Sequence, residues 1–359
     1  MSLRAATAEI DLSALTTNFQ IIKQLAPTSQ ILAVLKANAY GHGLARIAEA
    51  LPQADAFGVA RIDEALALRA NGVTQAIVLL EGFFSEDDIT IIVANNLQTV
   101  VHNQQQLDVI CQATLEKPLK VWLKIDTGMH RLGIEPEDFT TFYQKLTQSN
   151  NVQSPLVLMS HLASADDQEN PSNEQQISLF TQLAAELPDQ KSLANSAGIC
   201  AWQDTHLNWL RPGLLLYGVS PMHLDHQLSL PIQPVMTLKA HVISVRHIKK
   251  GQSVGYGGHW QSQQDTMIGV IAIGYGDGYP RHAPNGTPVL INGNRVSLVG
   301  RVSMDMITVD LGADANVKIG DQATLWGRGL PIEEVAKYAT TIAYELLCNV
   351  SQRVHMTTI

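Results

Sequence analysis

From about residue 12 to about residue 220, short apolar runs alternate with longer segments whose apolar residues recur at helical spacing. Runs 31–36 (ILAVLK), 56–60 (AFGVA), 76–80 (AIVLL), 97–101 (LQTVV), 120–125 (KVWLKI), 155–160 (PLVLMS) and 192–195 (SLAN) read as buried strands, and an eighth, 214–217 (LLLY), closes the series. Their near-continuous hydrophobicity suits parallel strands covered on both faces. Between them lie amphipathic stretches such as 63–70 (DEALALRA), 86–94 and 173–187. Eight β-then-α units in succession fit a closed (β/α)8 barrel better than an open doubly wound sheet.

After Pro221 the texture changes. Pro221, Pro231 and Pro234 punctuate a linker, and β-branched alternation follows. Segments 236–248, 266–273, 288–291, 295–299, 307–311 and 322–326 read as strands, with a tight hairpin turn at Asn292 and Gly293. Segments 331–338 and 343–347 read as short helices. The predicted fold class is α/β, a barrel over 12–225 followed by a mostly-β C-terminal domain.

Composition narrows the function classes. Of 359 residues, 45% are apolar and 16% charged, which is enough to fill two cores and excludes general disorder. A net charge of −9 lacks the basic footprint that neutralises phosphate backbones, so nucleic acid is not an expected partner. No apolar run approaches the roughly 18 residues of a membrane span. Residues 1–12 (MSLRAATAEIDL) are too polar for a signal-peptide core, so a cytoplasmic location is expected. Cys111, Cys200 and Cys348 are odd in number and far apart, and read as buried thiols of a reducing compartment. There is no metal-ligand cluster in the sequence.

In a parallel barrel, ligands gather at the C-terminal mouth, so the polar residues that end strands are the ones to examine. Lys36 ends the first run. Lys124, Asp126 and Arg131 follow the fifth, His161 the sixth, Asn195 and Ser196 the seventh, and Arg211 precedes the last. Each has an ordinary interpretation: a solvated strand terminus, a packed histidine, or a charged face shared with Asp126 and Glu135. Their convergence on one opening favours a site without naming its reaction. The loop 36–43 (KANAYGHG) is more specific. A lysine set against an apolar strand is partly desolvated, which lowers its pKa and frees the amine for Schiff-base chemistry. A full dinucleotide fingerprint, a Walker loop, a His-Glu-x-x-His pair and a Gly-x-Ser-x-Gly elbow are all missing from the sequence.

At this loop the sequence resembles the bacterial alanine racemases, pyridoxal-phosphate enzymes. The likeness continues through 33–43 (AVLKANAYGHG), 123–133 (LKIDTGMHRLG), 160–166 (SHLASAD), 194–198 (ANSAG), 211–218 (RPGLLLYG), 254–260 (VGYGGHW), 273–281 (IGYGDGYPR) and 300–306 (GRVSMDM). Several long motifs in order make it specific over essentially the whole chain. The family fold is a barrel followed by a β domain that also takes in the N-terminal strand, so the resemblance implies that 1–11 belongs with 226–359.

The resemblance further implies that Lys36 carries pyridoxal phosphate as an aldimine, and that Tyr40, Ser196, Gly213, Leu214 and Tyr344 hold its phosphate. Arg211 matches the residue facing the pyridine nitrogen, with His161 beside it. Arginine only donates and keeps its proton, so that nitrogen stays an unprotonated acceptor and the ring a poorer electron sink. Racemisation removes a proton from one face of Cα and returns one to the other, and two groups do this more easily than one. The resemblance assigns these roles to Lys36 and Tyr256, the latter arriving from a partner subunit. Its phenol, with a reference pKa of about 10, needs cationic neighbours to ionise.

Arg131 matches the residue holding the substrate carboxylate, with a backbone contact from Met304 of the partner chain. Lys124 matches a lysine carbamylated in many members, a change that turns a cation into an anion able to pair with Arg131. Tyr275, Met304 and Asp305 line the route to the site in the family. The implied assembly is an obligate head-to-tail homodimer with composite sites, and the implied substrate is alanine. A related decarboxylase would lack the Tyr256 motif, and a broad-specificity racemase is typically exported. A non-enzymatic pyridoxal-phosphate-binding barrel would lack the second domain. The same chemistry serves D-alanine supply and alanine degradation alike.

Overall fold

Eight parallel strands close into a barrel in the computed structural model, which describes residues 6–222 and 230–359. In chain order the first strand, β1 (Ala6–Ile10), belongs to the other unit described below. The barrel consists of β2 (Gln30–Val34), β3 (Ala56–Val59), β4 (Ala76–Leu79), β5 (Gln98–Val101), β6 (Leu119–Lys124), β7 (Val152–Met159), β8 (Gln190–Ser192) and β9 (Trp209–Leu210). Each pairs with the next, and β2 closes on β9 with Gln30 opposite Trp209 and Ile31 opposite Leu210. These strands sit within a unit that holds Asn18–Leu216.

The apolar runs fill the barrel. Leu32, Phe57, Val78, Val100, Trp122, Leu123 and Leu158 are fully buried, and burying a large apolar side chain contributes about 1.5–3 kcal/mol. Trp122 also satisfies its indole N–H, donating to Gln98 Oε1 at 2.8 Å, and its ring lies 5.4 Å from that of Trp209. Outside the strands, helices bury one stripe each. Phe139–Gln148 turns Phe139, Phe142 and Leu146 inward. Gln104–Gln112 starts where the Asn103 side chain accepts the Gln106 N–H at 2.9 Å.

Two strand expectations need correction. The eighth strand is Trp209–Leu210, and the run Leu214–Tyr217 is a 3₁₀ turn. All four of its side chains are buried, and the Leu216 N–H turns back to the Gly213 carbonyl at 2.9 Å. A short, uniformly apolar run has no period from which strand and buried turn can be told apart. The seventh strand ends at Ser192, so 193–195 begins the loop at the mouth. Elsewhere the observed bounds differ by a few residues, as in helices Ile62–Ala70, Asp88–Ala94 and Ser172–Ala184.

The other unit includes β1, Tyr217–Val219 and Ile232–Ile359. Its strands are β10 (Met236–Ile248), β11 (Ser253–Val254), β12 (Trp260–Gln261), β13 (Thr266–Ile271), β14 (Pro288–Ile291), β15 (Asn294–Leu298), β16 (Ile307–Gly312), β17 (Gln322–Trp326) and β18 (His355–Thr358). Eight strands form one sheet in the order β13-β16-β15-β14-β17-β10-β1-β18, while β11 and β12 form a separate ribbon. β1 runs antiparallel to β10, with Ala8 opposite Leu238, and parallel to β18. Ion pairs of Glu9 with Lys239 at 2.6 Å and Asp11 with Arg328 at 2.5 Å add to this pairing.

At the β14–β15 hairpin, Asn292 and Gly293 both have positive φ (52° and 79°), as a type I′ turn requires. The expected domain boundary at 225/226 lies outside the described residues. The cysteines depart from expectation: Cys111 and Cys200 are half-buried and Cys348 is exposed, all as free thiols.

Candidate active site

The barrel residues singled out from the sequence all follow the C-terminal ends of strands. Lys36 stands two residues beyond β2, and Lys124 is the last residue of β6. Arg131 lies in the loop after β6, His161 two residues beyond β7, and Ser196 in the loop after β8. Arg211 follows β9 directly. That last placement comes from the corrected strand, because Arg211 would otherwise enter the barrel from below.

Arg211 is buried and held by several acceptors. Its guanidinium donates to Ser192 Oγ at 2.6 Å, to the Ser160 carbonyl at 2.5 Å and to the Leu193 carbonyl at 3.2 Å. It also lies 3.3 Å from His161 Nδ1. Arginine has no acceptor, so His161 Nδ1 must accept. Burial lowers the Arg211 pKa to about 10, which leaves it charged at neutral pH. Burial, followed by the charges of Arg211, Lys124, Arg131 and Lys36, holds His161 well below its ordinary pKa and therefore neutral.

Lys124 is buried, and its amine is pushed down to about 8 by desolvation, then by Arg211, Arg131 and Lys36. At that value about a tenth is an uncharged nucleophile at pH 7, far more than for an ordinary lysine at about 10.4. Arg131 is exposed, but its loop is not loose. Asp126 Oδ1 accepts the N–H groups of Gly128, Met129 and His130 at 2.9, 3.0 and 3.1 Å. Burial works against ionisation of Asp126, yet these N–H groups and the nearby His130 more than offset it, and its pKa is lowered.

The segment joining Lys36 to Tyr40 takes a form that its sequence does not announce. Ala37, Asn38, Ala39 and Tyr40 all have φ between 52° and 55°, giving one turn of left-handed helix. Such a conformation costs an L-residue roughly 1–2 kcal/mol, so this turn carries on the order of 4–8 kcal/mol of strain. The turn brings the Tyr40 hydroxyl to Gly213, where an added Cβ would stand 2.4 Å from that oxygen. Ser196 Oγ accepts the N–H groups of Gly213 at 2.9 Å and Leu215 at 3.3 Å. Its own proton is thereby left to donate elsewhere. Leu214 lies between these two residues, in the same 3₁₀ turn. The Gly213 N–H is engaged, so what Gly213 contributes is the space where a side chain would be.

The remaining predicted residues belong to the other unit. Tyr256 is 70% exposed and sits between Gly255 and Gly257, whose φ values of 74° and 72° suit glycine. Gly255 packs on Gly300 and Arg301, bringing the 254–260 and 300–306 motifs together. The third motif joins them: the N–H of Tyr275 donates to the Ser303 carbonyl at 3.0 Å, and that of Gly276 to the Met304 carbonyl at 2.9 Å. Arg353 bridges Asp305 at 2.7 Å and Asp277 at 3.3 Å. Tyr275, Met304, Asp305 and Tyr344 are all exposed. A cavity of about 350 Å³ beside them is lined by Tyr275, Tyr279, Arg281 and Glu345 among others.

Residues that sequence reasoning missed include His42, Glu64 and Gln176. Gln176 pins the loop after β7, accepting the Ala163 N–H at 2.9 Å and donating to the His161 carbonyl at 3.0 Å, and lies 3.4 Å from Thr127 Oγ1 in the loop after β6. Only Glu64 had a signal, as an acid in a helix first turn.

Comparison with known proteins agrees with the fold of a barrel followed by a β domain. The family model for the alanine racemase N-terminal domain matches residues 10–221, and that for the C-terminal domain matches residues 235–358. An alanine racemase of Vibrio cholerae is 56% identical, over 99% of this chain and 98% of its own. The crystal structure of a biosynthetic alanine racemase from Pseudomonas aeruginosa superposes with a TM-score of 0.96 at 42% identity, covering 99% of this chain and 100% of the other. An alanine racemase from Bartonella henselae, solved with covalently bound pyridoxal phosphate, has a TM-score of 0.90 at 32% identity and covers 99% of each chain. Among the described residues, no helix is long and apolar enough to cross a membrane.

Proposed function

The chain belongs to the alanine racemase family, and from that premise we propose that Lys36 at the barrel mouth anchors the cofactor while Tyr256 serves the opposite face of the substrate. The enzyme is an isomerase that interconverts L-alanine and D-alanine, with pyridoxal phosphate as cofactor. When bound, that cofactor withdraws electrons from the substrate Cα and makes its proton removable.

The donors present fit this group. The free proton of the Ser196 hydroxyl and the Tyr40 hydroxyl, which packs where a side chain at Gly213 would stand, suit a phosphate, with Leu214 and Tyr344 assigned to complete the set. Arg211 offers the ring nitrogen a donor and no proton to give up. His161, kept neutral, supports Arg211 without adding charge. Arg131 takes the substrate carboxylate, assisted by the Met304 backbone of a second copy. Lys124, in its uncharged fraction, adds through its amine nitrogen to carbon dioxide, releases one N–H proton to solvent, and as an anionic carbamate pairs with Arg131. Tyr275 and Asp305 guard the approach, where bulk favours a small substrate.

Tyr256 is exposed on its own chain, and a proton-transfer group works best in a closed site. We therefore assign it to the site of a second copy in a head-to-tail homodimer. The same proposal puts residues 6–11 with the C-terminal domain, the rest of the expected segment 1–11 lying outside the described residues, and the enzyme in the cytoplasm. The observation that carries this reading is the convergence of Lys36, Lys124, Arg131 and Arg211 around a neutral His161.

The test is a visible absorption spectrum of the purified protein, followed by borohydride reduction and peptide mapping. A band trapped on the peptide holding Lys36 supports the assignment. A protein that stays colourless after addition of pyridoxal phosphate contradicts it. Mixing inactive Lys36→Ala and Tyr256→Ala chains under subunit exchange should restore one intact site per mixed dimer, and no recovery would contradict the shared site.

A further inference from the structure

Two residues with no role so far hold the left-handed turn between Lys36 and Tyr40. His42 is fully buried, and its Nδ1 lies 3.0 Å from the Ala39 carbonyl and 2.9 Å from the Tyr40 carbonyl. Both partners only accept, so Nδ1 carries the proton and the ring donates to the last two residues of the turn. Burial lowers the His42 pKa to about 4, against the opposing pull of those two carbonyls and with a small push from Arg46. The ring is therefore neutral across the physiological range.

Glu64 works from the other end. Its Oε1 accepts the Ala37 N–H at 2.7 Å, while Oε2 accepts the N–H groups of Ala60 at 2.9 Å and Arg61 at 3.3 Å. One carboxylate thus links the residue after Lys36 to the end of β3. Within the turn the Ala39 N–H donates to Leu35 and the Gly41 N–H to Ala37. The Ala37 N–H itself points out of the turn to Glu64. Four successive non-glycine residues with positive φ persist only where surrounding bonds over-determine them.

Building on the assignment of Lys36 and Tyr40 to the cofactor, we propose that His42 and Glu64 are positioning residues which hold the left-handed turn and so set the affinity for pyridoxal phosphate. Lys36 and Tyr40 are assigned to two different groups of that molecule, its aldehyde carbon and its phosphate. The turn sets their separation before the cofactor arrives. If it relaxes to an ordinary conformation, the Tyr40 hydroxyl leaves Gly213 and ordering the site must be done at binding.

The experiment uses the full-length holoenzyme in four variants: His42→Leu, His42→Asn, Glu64→Ala and Glu64→Gln. An asparagine amide can still donate to a carbonyl, and a glutamine oxygen can still accept from Ala37. After the cofactor is stripped, pyridoxal phosphate is titrated back and followed by its visible band. His42→Leu and Glu64→Ala should bind it about ten-fold or more weakly, the loss expected for one buried or charged hydrogen bond. His42→Asn and Glu64→Gln should recover part of that loss.

At saturating cofactor the KM for alanine should change little. Amide hydrogen exchange over residues 37–43 should accelerate in the two weak binders, with the barrel strands unaffected. Unchanged affinity together with unchanged exchange in Glu64→Ala overturns the proposal, even where His42→Leu fails to fold. Failure of the underlying assignment has a different signature: wild-type protein would show no borohydride-trapped label at Lys36.

Discussion

Arg211 Nη2 lies 3.3 Å from His161 Nδ1, so a cation that cannot accept faces a ring that must. Burial and four surrounding cationic side chains hold that ring neutral. The pair delivers a fixed positive donor to the barrel mouth without a second titrating charge beside it.

Loss of this donor should be felt in stability as well as activity. Arg211→Met leaves the Ser192 hydroxyl and the Ser160 and Leu193 carbonyls without their buried partner. Each orphaned group costs about 1–3 kcal/mol, so denaturant unfolding should show a loss of roughly 3 kcal/mol or more. An Arg211→Met protein with an unchanged midpoint would contradict the network.

Acid should destabilise the fold well above the carboxylate range. His42 titrates at about 4 in the fold against roughly 6.5 when unfolded, and His161 is depressed too. Between those values the unfolded chain binds more protons. Stability is thus fully present above about pH 6.5 and declines as pH falls toward 4. The urea midpoint should drop between pH 7 and pH 5, and His42→Asn should flatten that dependence.

Lys124, at about 8, should react with carbon dioxide under mild conditions. Carbon-13-labelled bicarbonate is expected to give a carbamate resonance that disappears in Lys124→Met. The KM for alanine should fall as bicarbonate rises, because Arg131 then gains a compensating anion. A bicarbonate-independent KM with no resonance would argue for a plain amine at this position.

Tyr256→Phe removes one hydroxyl from an exposed side chain, so stability should stay within about 0.5 kcal/mol. Racemisation should fall by roughly 10²–10⁴, the usual share of a general acid–base group. Exchange of the Cα proton with deuterated solvent should survive for one enantiomer only. Equal loss for both would show that Tyr256 does not serve a single face.

Asp126→Ala frees three backbone N–H groups in the loop that carries Arg131. With that loop unpinned, the KM for alanine should rise several-fold while kcat changes less, since a positioned carboxylate contact is lost. Asp126→Asn keeps an acceptor oxygen and should fall between. A fall in kcat with KM unchanged would place Asp126 in the chemistry itself.

Much of the barrel could be read from residue type because a strand covered on both faces must be apolar throughout. The mouth residues were legible for a related reason: Lys36, Lys124 and His161 are polar groups at or just beyond the ends of such runs. The closing strand was not. Trp209–Leu210 is only two residues long, and the longer run Leu214–Tyr217 outweighs it in any local pattern although it forms a 3₁₀ turn after that strand.

By itself the sequence determined the alternation of buried strands and helices, the change of texture after Pro221, and the kinds of groups offered at the mouth. These follow from local hydrophobicity and from where charge interrupts it. Tertiary structure decided the left-handed turn at 37–40, where there is no glycine and only Asn38 has a local tolerance for positive φ. It holds because Glu64, 27 positions from Ala37, and the buried His42 satisfy its backbone. Tertiary structure also decided the charge state of Lys124. Burial on β6 and three cations from separate strand ends lower its pKa, and only the closed barrel brings them together.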